Sequence, residues 1–140
     1  MSKVAARIVR VTMNKFEEEK TMILSKNADV EARVIKSVEG KLLQGKVVLK
    51  PMMMGEQMTL LEIQYAAGAG TPTHVHQHES VVYVVKGRVK MTVGKEEYTL
   101  NAGDVCRHPQ GVPHSVEGVE DSLVVEIKSP TQPLEQFLGT

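Results

Sequence analysis

The chain of 140 residues has one cysteine, no tryptophan, two phenylalanines and no surplus of charge of either sign. Each shortage removes a class of protein. Cys106 has no second cysteine for an internal bridge and stands in no C-x-x-C pattern, so a disulfide scaffold and a cysteine-held zinc site are both excluded and a reducing compartment fits. Lysine plus arginine and aspartate plus glutamate each number 17, which leaves no basic field to grip a phosphate backbone. Nucleic acid is therefore not an expected partner. The scarcity of aromatic rings argues against a stacking platform for sugars or bases. No run nears the ~18 consecutive apolar residues of a membrane span, and Lys3, Arg7 and Arg10 interrupt the apolar stretch that a signal peptide needs. No membrane association and a cytoplasmic location are the expectations.

What remains is 41% hydrophobic and 24% charged, ordinary for one globular domain large enough to bury a core without staples. From Gly40 onward apolar and polar residues alternate with period two between glycine and proline punctuation, which predicts an antiparallel all-β domain. Strands are expected at residues 46–50, 58–65, 81–85, 88–93, 98–100, 105–108 and 122–128, with 81–85 and 88–93 forming a hairpin about Gly87. Thr59, Leu61, Ile63 and Tyr65 share a face, as do Val89, Met91 and Val93. Residues 7–11 alternate like a short strand, residues 16–20 read as a loop, and Met52, Met53, Met54 and Met58 read as core packing. Residues 81–85 are apolar on both faces, so either the N-terminal segment or a second subunit must cover their outer side.

The segment HVHQHES, residues 74–80, is the chemical signal. His74 and His76, at i and i+2 of an extended segment, project to one side and can bite one ion. His114 follows 34 residues after Ser80, in GVPH.

Gly68, His74 and His76 stand as G-x5-H-x-H, with Gly87 following after ten intervening residues, and Gly103, Pro109, Gly111 and His114 stand as G-x5-P-x-G-x2-H. In order and spacing the two blocks resemble the paired motifs of the cupin superfamily, a match far more specific than a lone H-x-H. The resemblance covers residues 55–130 and hardly touches the first 45. It implies a double-stranded β-helix, the jelly-roll cupin barrel, over residues 46–130. Residues 1–45 become an N-terminal extension that covers the barrel or a partner subunit, and 131–140 a tail. It also implies a homodimer.

By the same resemblance His74, His76 and His114 are the ligands of one divalent transition metal, with Gly111 and Pro113 shaping the turn that returns His114 to the barrel. Imidazoles suit Fe, Mn, Ni, Cu and Zn alike. The chain departs from the pattern at the fourth ligand, where Ser80 replaces the usual glutamate. The nearby carboxylate, Glu79, points away by strand parity and reaches the site only through a bulge. Ser80, Glu79 and water are the alternatives there. A three-histidine site of this kind resembles that of cupin dioxygenases acting on thiols or β-diketones. HVHQHESVVYVVKG also resembles the pectin-degradation type, HxHxHEQxxYVLxG, in which glutamine stands where Ser80 does. The implied function is a metal-dependent enzyme acting on a small polar organic molecule by dioxygenase, lyase or sugar-acid chemistry. A non-catalytic binding or sensing module is the alternative, and a metal-free structural cupin a third.

Several neighbours carry two readings. His78 either supports a ligand from behind or is exposed. His108, just before Pro109, is either a cavity-facing acid–base group or a partly buried ring with a hydrogen-bond partner. Cys106 shares its parity and reads as a small core residue. Arg107 then faces outward, or, in the reversed register, enters the pocket and favours an anion. Val82 and Val84 share the ligands' parity and are expected to dry the cavity.

Overall fold

The computed structural model describes residues 23–133, so the predicted elements at 7–11 and 16–20 lie outside the described residues. A single 3-10 turn, Asn27–Asp29, precedes nine strands: β1 (Arg33–Val38), β2 (Lys41–Met54), β3 (Thr59–Tyr65), β4 (Glu79–Lys86), β5 (Arg88–Val93), β6 (Glu96–Asn101), β7 (Val105–His108), β8 (His114–Gly118) and β9 (Ser122–Ser129). They form a six-stranded sheet in the order β1-β2-β3-β9-β4-β7 and a three-stranded sheet in the order β6-β5-β8. Every pairing within the sheets is antiparallel. Both inner faces contribute to one core, in which Leu61, Val84, Val89 and Met91 are fully buried. The architecture is the jelly roll that the sequence motifs imply. No helix of the described residues is long and apolar enough to cross a membrane.

Period-two burial follows from the pleat. On β3 the predicted face of Thr59, Leu61, Ile63 and Tyr65 turns inward, as do Val89 and Met91 on β5. Residues 46–50 are the middle of a longer strand. β2 pairs with β1 on one side and β3 on the other, and Pro51, which has no N–H for a ladder, sits where the β2–β3 register shifts. β1 and the start of β2 fall within residues 1–45 and belong to the six-stranded sheet.

Three expectations are corrected. Residues 81–85 and 88–93 are not a hairpin, because β4 and β5 lie in different sheets. Gly87 between them has φ +87°, and a Cβ there would collide with the Asp121 carbonyl and the Ser122 side chain. The left-handed glycine swings the chain from one sheet to the other, and Ser122 Oγ fixes the crossing by accepting from the Arg88 N–H at 3.0 Å and donating to the Glu120 carbonyl at 2.8 Å. The hairpin is β5–β6, closed by Gly94 and Lys95. A strand at His114–Gly118, absent from the sequence reading, completes the smaller sheet. Of the methionines read as core, Met54 packs against it, but Met58 is 52% exposed because it precedes β3 at an open loop.

Gly87→Ala is expected to lower stability by about 2 kcal/mol, the range for a strained left-handed residue, read as a shift in the urea midpoint. An unchanged midpoint would contradict the crossing geometry.

Candidate metal centre

Residues 74–80 alternate in burial. His74, His76, His78 and Ser80 face inward while Val75, Gln77 and Glu79 are exposed. A regular strand begins only at Glu79, however. His74 instead makes an isolated antiparallel bridge with His114, the first residue of β8, through two backbone hydrogen bonds of 3.0 Å. The neighbouring turn carries Pro109 and Pro113, which have no N–H to extend a ladder, and only the Gly111 N–H reaches back, to the His76 carbonyl at 2.9 Å. Directly opposed residues of an antiparallel pair share a face, so this bridge alone brings two of the rings together.

One nitrogen from each of His74, His76 and His114 lies within 4.8 Å of the others. The ring centroids are 4.6 Å apart for His74–His76, 4.3 Å for His74–His114 and 5.1 Å for His76–His114. Each Nδ1 faces an oxygen: Pro72 O at 2.6 Å, a Glu39 carboxylate oxygen at 2.9 Å and Val112 O at 3.1 Å. An Nδ1 that donates to oxygen holds the ring proton, so Nε2 is left with the lone pair in all three rings. Glu39 comes from the turn between β1 and β2, where it adopts φ +48°. The sequence reading missed it, since its only signal is the glycine beside it.

Burial removes the water that would stabilise an imidazolium, and the nearby cationic groups work in the same direction. His74 is pushed down to about 4 and His76 to about 2, and His114 is lowered too. His78 and His108 fall to about 4 for the same reason. The rings are neutral at physiological pH, the form that binds metal.

Around the triad the other residues sort out. His78 is buried, stacked on His76 at 4.4 Å with Nε2 accepting from Lys128 Nζ at 3.1 Å. His108 is fully buried and stacked on His114 at 4.3 Å. Its ring lines the cavity, and neither of its nitrogens has a partner among the described residues, so the expected hydrogen-bond partner is not found there. Ser80 also turns inward, its Oγ without a partner among the described residues. Glu79 points outward and pairs with exposed Arg107 at 3.2 Å, so the structure does not bring Glu79 to the histidines, and Arg107 lies outside the pocket. Cys106 packs against the core, and burial raises its thiol. Val82 and Val84 are buried in the core, but the cavity's apolar wall comes from β1, β2 and β3, chiefly Ile35, Val47, Leu49, Leu61 and Ile63.

The cavity, of about 60 Å³, has room for a few waters or a small ligand. Glu126 and Lys128, two inward residues of β9 that the sequence reading passed over, line it beside the imidazoles and pair at 3.5 Å. Burial alone would raise the Glu126 carboxyl, but Lys128 and the surrounding rings hold it below its usual value. Tyr65 is kept protonated by burial and by Glu126.

Comparison with known proteins agrees with this fold. Residues 61–127 match the cupin domain family. An uncharacterised protein of Streptomyces coelicolor is 37% identical over 71 residues, 49% of this chain and 68% of that protein. The chain spans about half of another curated relative, 53% of its length. An RmlC-like cupin from Shewanella frigidimarina superposes with a TM-score of 0.70 at 23% identity, covering 79% of this chain and 92% of that one. KdgF from a Halomonas species gives 0.60 at 25% identity, covering 64% and 86%. The chain belongs to the cupin family.

The lowered rings fix the sign of a pH effect. An unfolded imidazole protonates near ~6.5, whereas the folded His74, His78 and His108 do so near 4. The unfolded chain therefore binds more protons between these values, and the histidine contribution leaves stability undiminished above pH ~6.5 and erodes it as pH falls toward 4. In the folded metal-free protein, NMR signals of these three rings are expected to stay unshifted from pH 7 to about 5.5. A midpoint near 6.5 for any of them would contradict the burial described here.

Proposed function

We propose that His74, His76 and His114 hold one divalent transition metal and that the protein is an enzyme acting on a small polar organic molecule in the adjoining cavity. The observation that carries this reading is the arrangement of the three Nδ1 atoms, each tied to an oxygen, so that three Nε2 lone pairs are free to converge. Supported imidazole ligands of this kind are how proteins set ring orientation and tautomer at a metal. The donor set fits Fe, Mn, Ni, Cu or Zn.

When bound, the ion supplies Lewis acidity to a substrate oxygen. Three neutral ligands without a carboxylate among them leave its full double charge directed at that oxygen. The apolar wall from β1, β2 and β3 excludes water, which strengthens each electrostatic contact inside. His108, with both nitrogens unengaged by the described residues, is the group able to accept or return a proton.

A homodimer accompanies this reading. On the outer face of the six-stranded sheet Val105, Tyr83 and Val125 stand on one level of β7, β4 and β9, with Val81 and Ile127 alongside. Tyr83 is 45% and Val105 56% exposed. Such a patch favours association. Light scattering at micromolar concentration is expected to give twice the 15.4 kDa of one chain, and a monomer would reject the dimer.

His76→Ala is expected to leave less than about a tenth of the wild-type metal content by elemental analysis, and Glu39→Ala to weaken metal binding by about 10- to 100-fold in competition with a chelator. Equal metal content in His76→Ala would reject the centre. Turnover by the loaded protein across β-diketones, thiols and sugar acids tests the enzymatic half. Metal bound with no turnover of any would leave a ligand-holding cupin instead.

A further inference from the structure

The cavity beside the three rings reaches the surface under the β1–β2 turn. Of the described residues that line it, all are buried except Val38, Leu43 and Thr71. A second hollow, of about 290 Å³ and bordered by the exposed Leu42 and Gln44, shares Leu43, Thr71 and Val116 with the cavity. Gln44 pairs with Gly70 in an antiparallel bridge, so the residues next to them, Leu43 and Thr71, stand across from each other. These two side chains, above the buried Val116, form the partition between the surface hollow and the buried imidazoles.

The piece of chain that carries Val38 and Leu43 has a break at its base. Beyond Ile35–Val47 the β1–β2 ladder is interrupted: residues 43–46 stand against the single Lys36, and pairing resumes only at Ser37–Leu42 and Val38–Lys41. The base itself is held fast. Gln44 exchanges backbone hydrogen bonds of 3.0 and 2.9 Å with Gly70, and Gly45, at φ +69°, packs so closely on Ala69 that a Cβ would lie 2.8 Å from its side chain. Residues 37–43 project past this point and none of them is buried; Ser37, Val38 and Leu43 are half-buried and the rest exposed. The projecting piece is stiff, because Glu39 and Gly40, at φ +48° and +74°, make the two-residue turn whose twist suits a hairpin.

Two side chains pin this piece across the gap. Lys41 Nζ donates to the Thr73 carbonyl at 2.8 Å, and the Glu39 carboxylate accepts from His76 Nδ1 at 2.9 Å. Lys41 is exposed and Glu39 is 43% exposed, so water competes for both bonds. Glu39 is also an unfavourable choice for its backbone. Asparagine or glycine suits a positive φ far better than glutamate, and the bond that offsets this strain is the one to His76.

We propose that residues 37–43 are a lid, hinged at Lys36 and Gln44, that opens the partition between Leu43 and Thr71 to admit a small molecule or ion, with Lys41 and Glu39 as its latches. Opening breaks both latch bonds together, because the turn moves as one piece, and it withdraws Val38 and Leu43 from the cavity wall. The same stroke releases Nδ1 of His76, so that ring keeps its converging orientation only beneath a closed lid. The lid follows from the chain's own geometry, whereas its coupling to metal rests on the proposed metal centre.

The full chain without metal is the sample for ¹⁵N relaxation dispersion. Residues 37–43 are expected to share one exchange process on the microsecond-to-millisecond scale of lid motions, absent from residues 46–50. Lys41→Met and Glu39→Asn each remove one latch, and each is expected to raise the open population about three- to tenfold. Asparagine before glycine favours this turn, so Glu39→Asn is expected to hold the wild-type melting temperature. Ni²⁺ uptake and release, followed by stopped flow, are both expected to quicken about three- to tenfold in Lys41→Met, with affinity within about twofold of wild type. A segment 37–43 that shows no exchange in wild type and both variants, or that exchanges alike in all three, overturns the lid whatever the metal content. Faster opening with unchanged Ni²⁺ rates overturns its role as the entrance. Lid motion in a protein that takes up no Ni²⁺ supports the lid while rejecting the metal centre.

Discussion

The antiparallel bridge between His74 and His114 is the contact on which the rest of this structure depends. Its two backbone hydrogen bonds of 3.0 Å tie the segment leaving the six-stranded sheet to the first residue of the three-stranded one. Gly70 continues the seam by pairing with both Gln44 and Glu117, at a spot where a Cβ would run into the Val116 carbonyl. Closing the barrel and bringing the imidazoles together are therefore the same event. A fold that opened there would part the two sheets and the rings in one step.

Burial then selects the kind of polar group that the interior tolerates. Five histidines line or flank one cavity, and a neutral imidazole is the titratable side chain best able to stay uncharged there at physiological pH. The two groups that do carry charge, Glu126 and Lys128, face one another, so the protein itself adds no net charge. Their 3.5 Å separation is long for an ion pair.

The histidine cluster and the barrel were legible because both leave short-range patterns: H-x-H ahead of an apolar run, and period two from Gly40 onward. What was hidden was hidden for physical reasons. A glycine between two alternating runs looks like a hairpin turn, and only the crowding of Gly87 by Asp121 and Ser122 reveals a crossing between sheets. β8 is five residues with a histidine, a serine and a glutamate, too short and mixed to announce itself. β9 is the most instructive case. In residues 122–129 the apolar set Leu123, Val125 and Ile127 looks like the core face, yet Ser122, Val124, Glu126 and Lys128 are the ones buried. The inversion places two charges beside the cavity and aliphatic groups on the outer face, and no rule of hydrophobic patterning anticipates either.

Glu39 holds His76 from the turn between β1 and β2, upstream of residues 61–127, the stretch shared with the cupin domain family. Two chains with identical histidines in that stretch can thus differ in how firmly one imidazole is aimed, through a residue that no comparison of their common portion would register. Selection can adjust the aim of that ring by rewriting a surface turn, leaving the histidines alone.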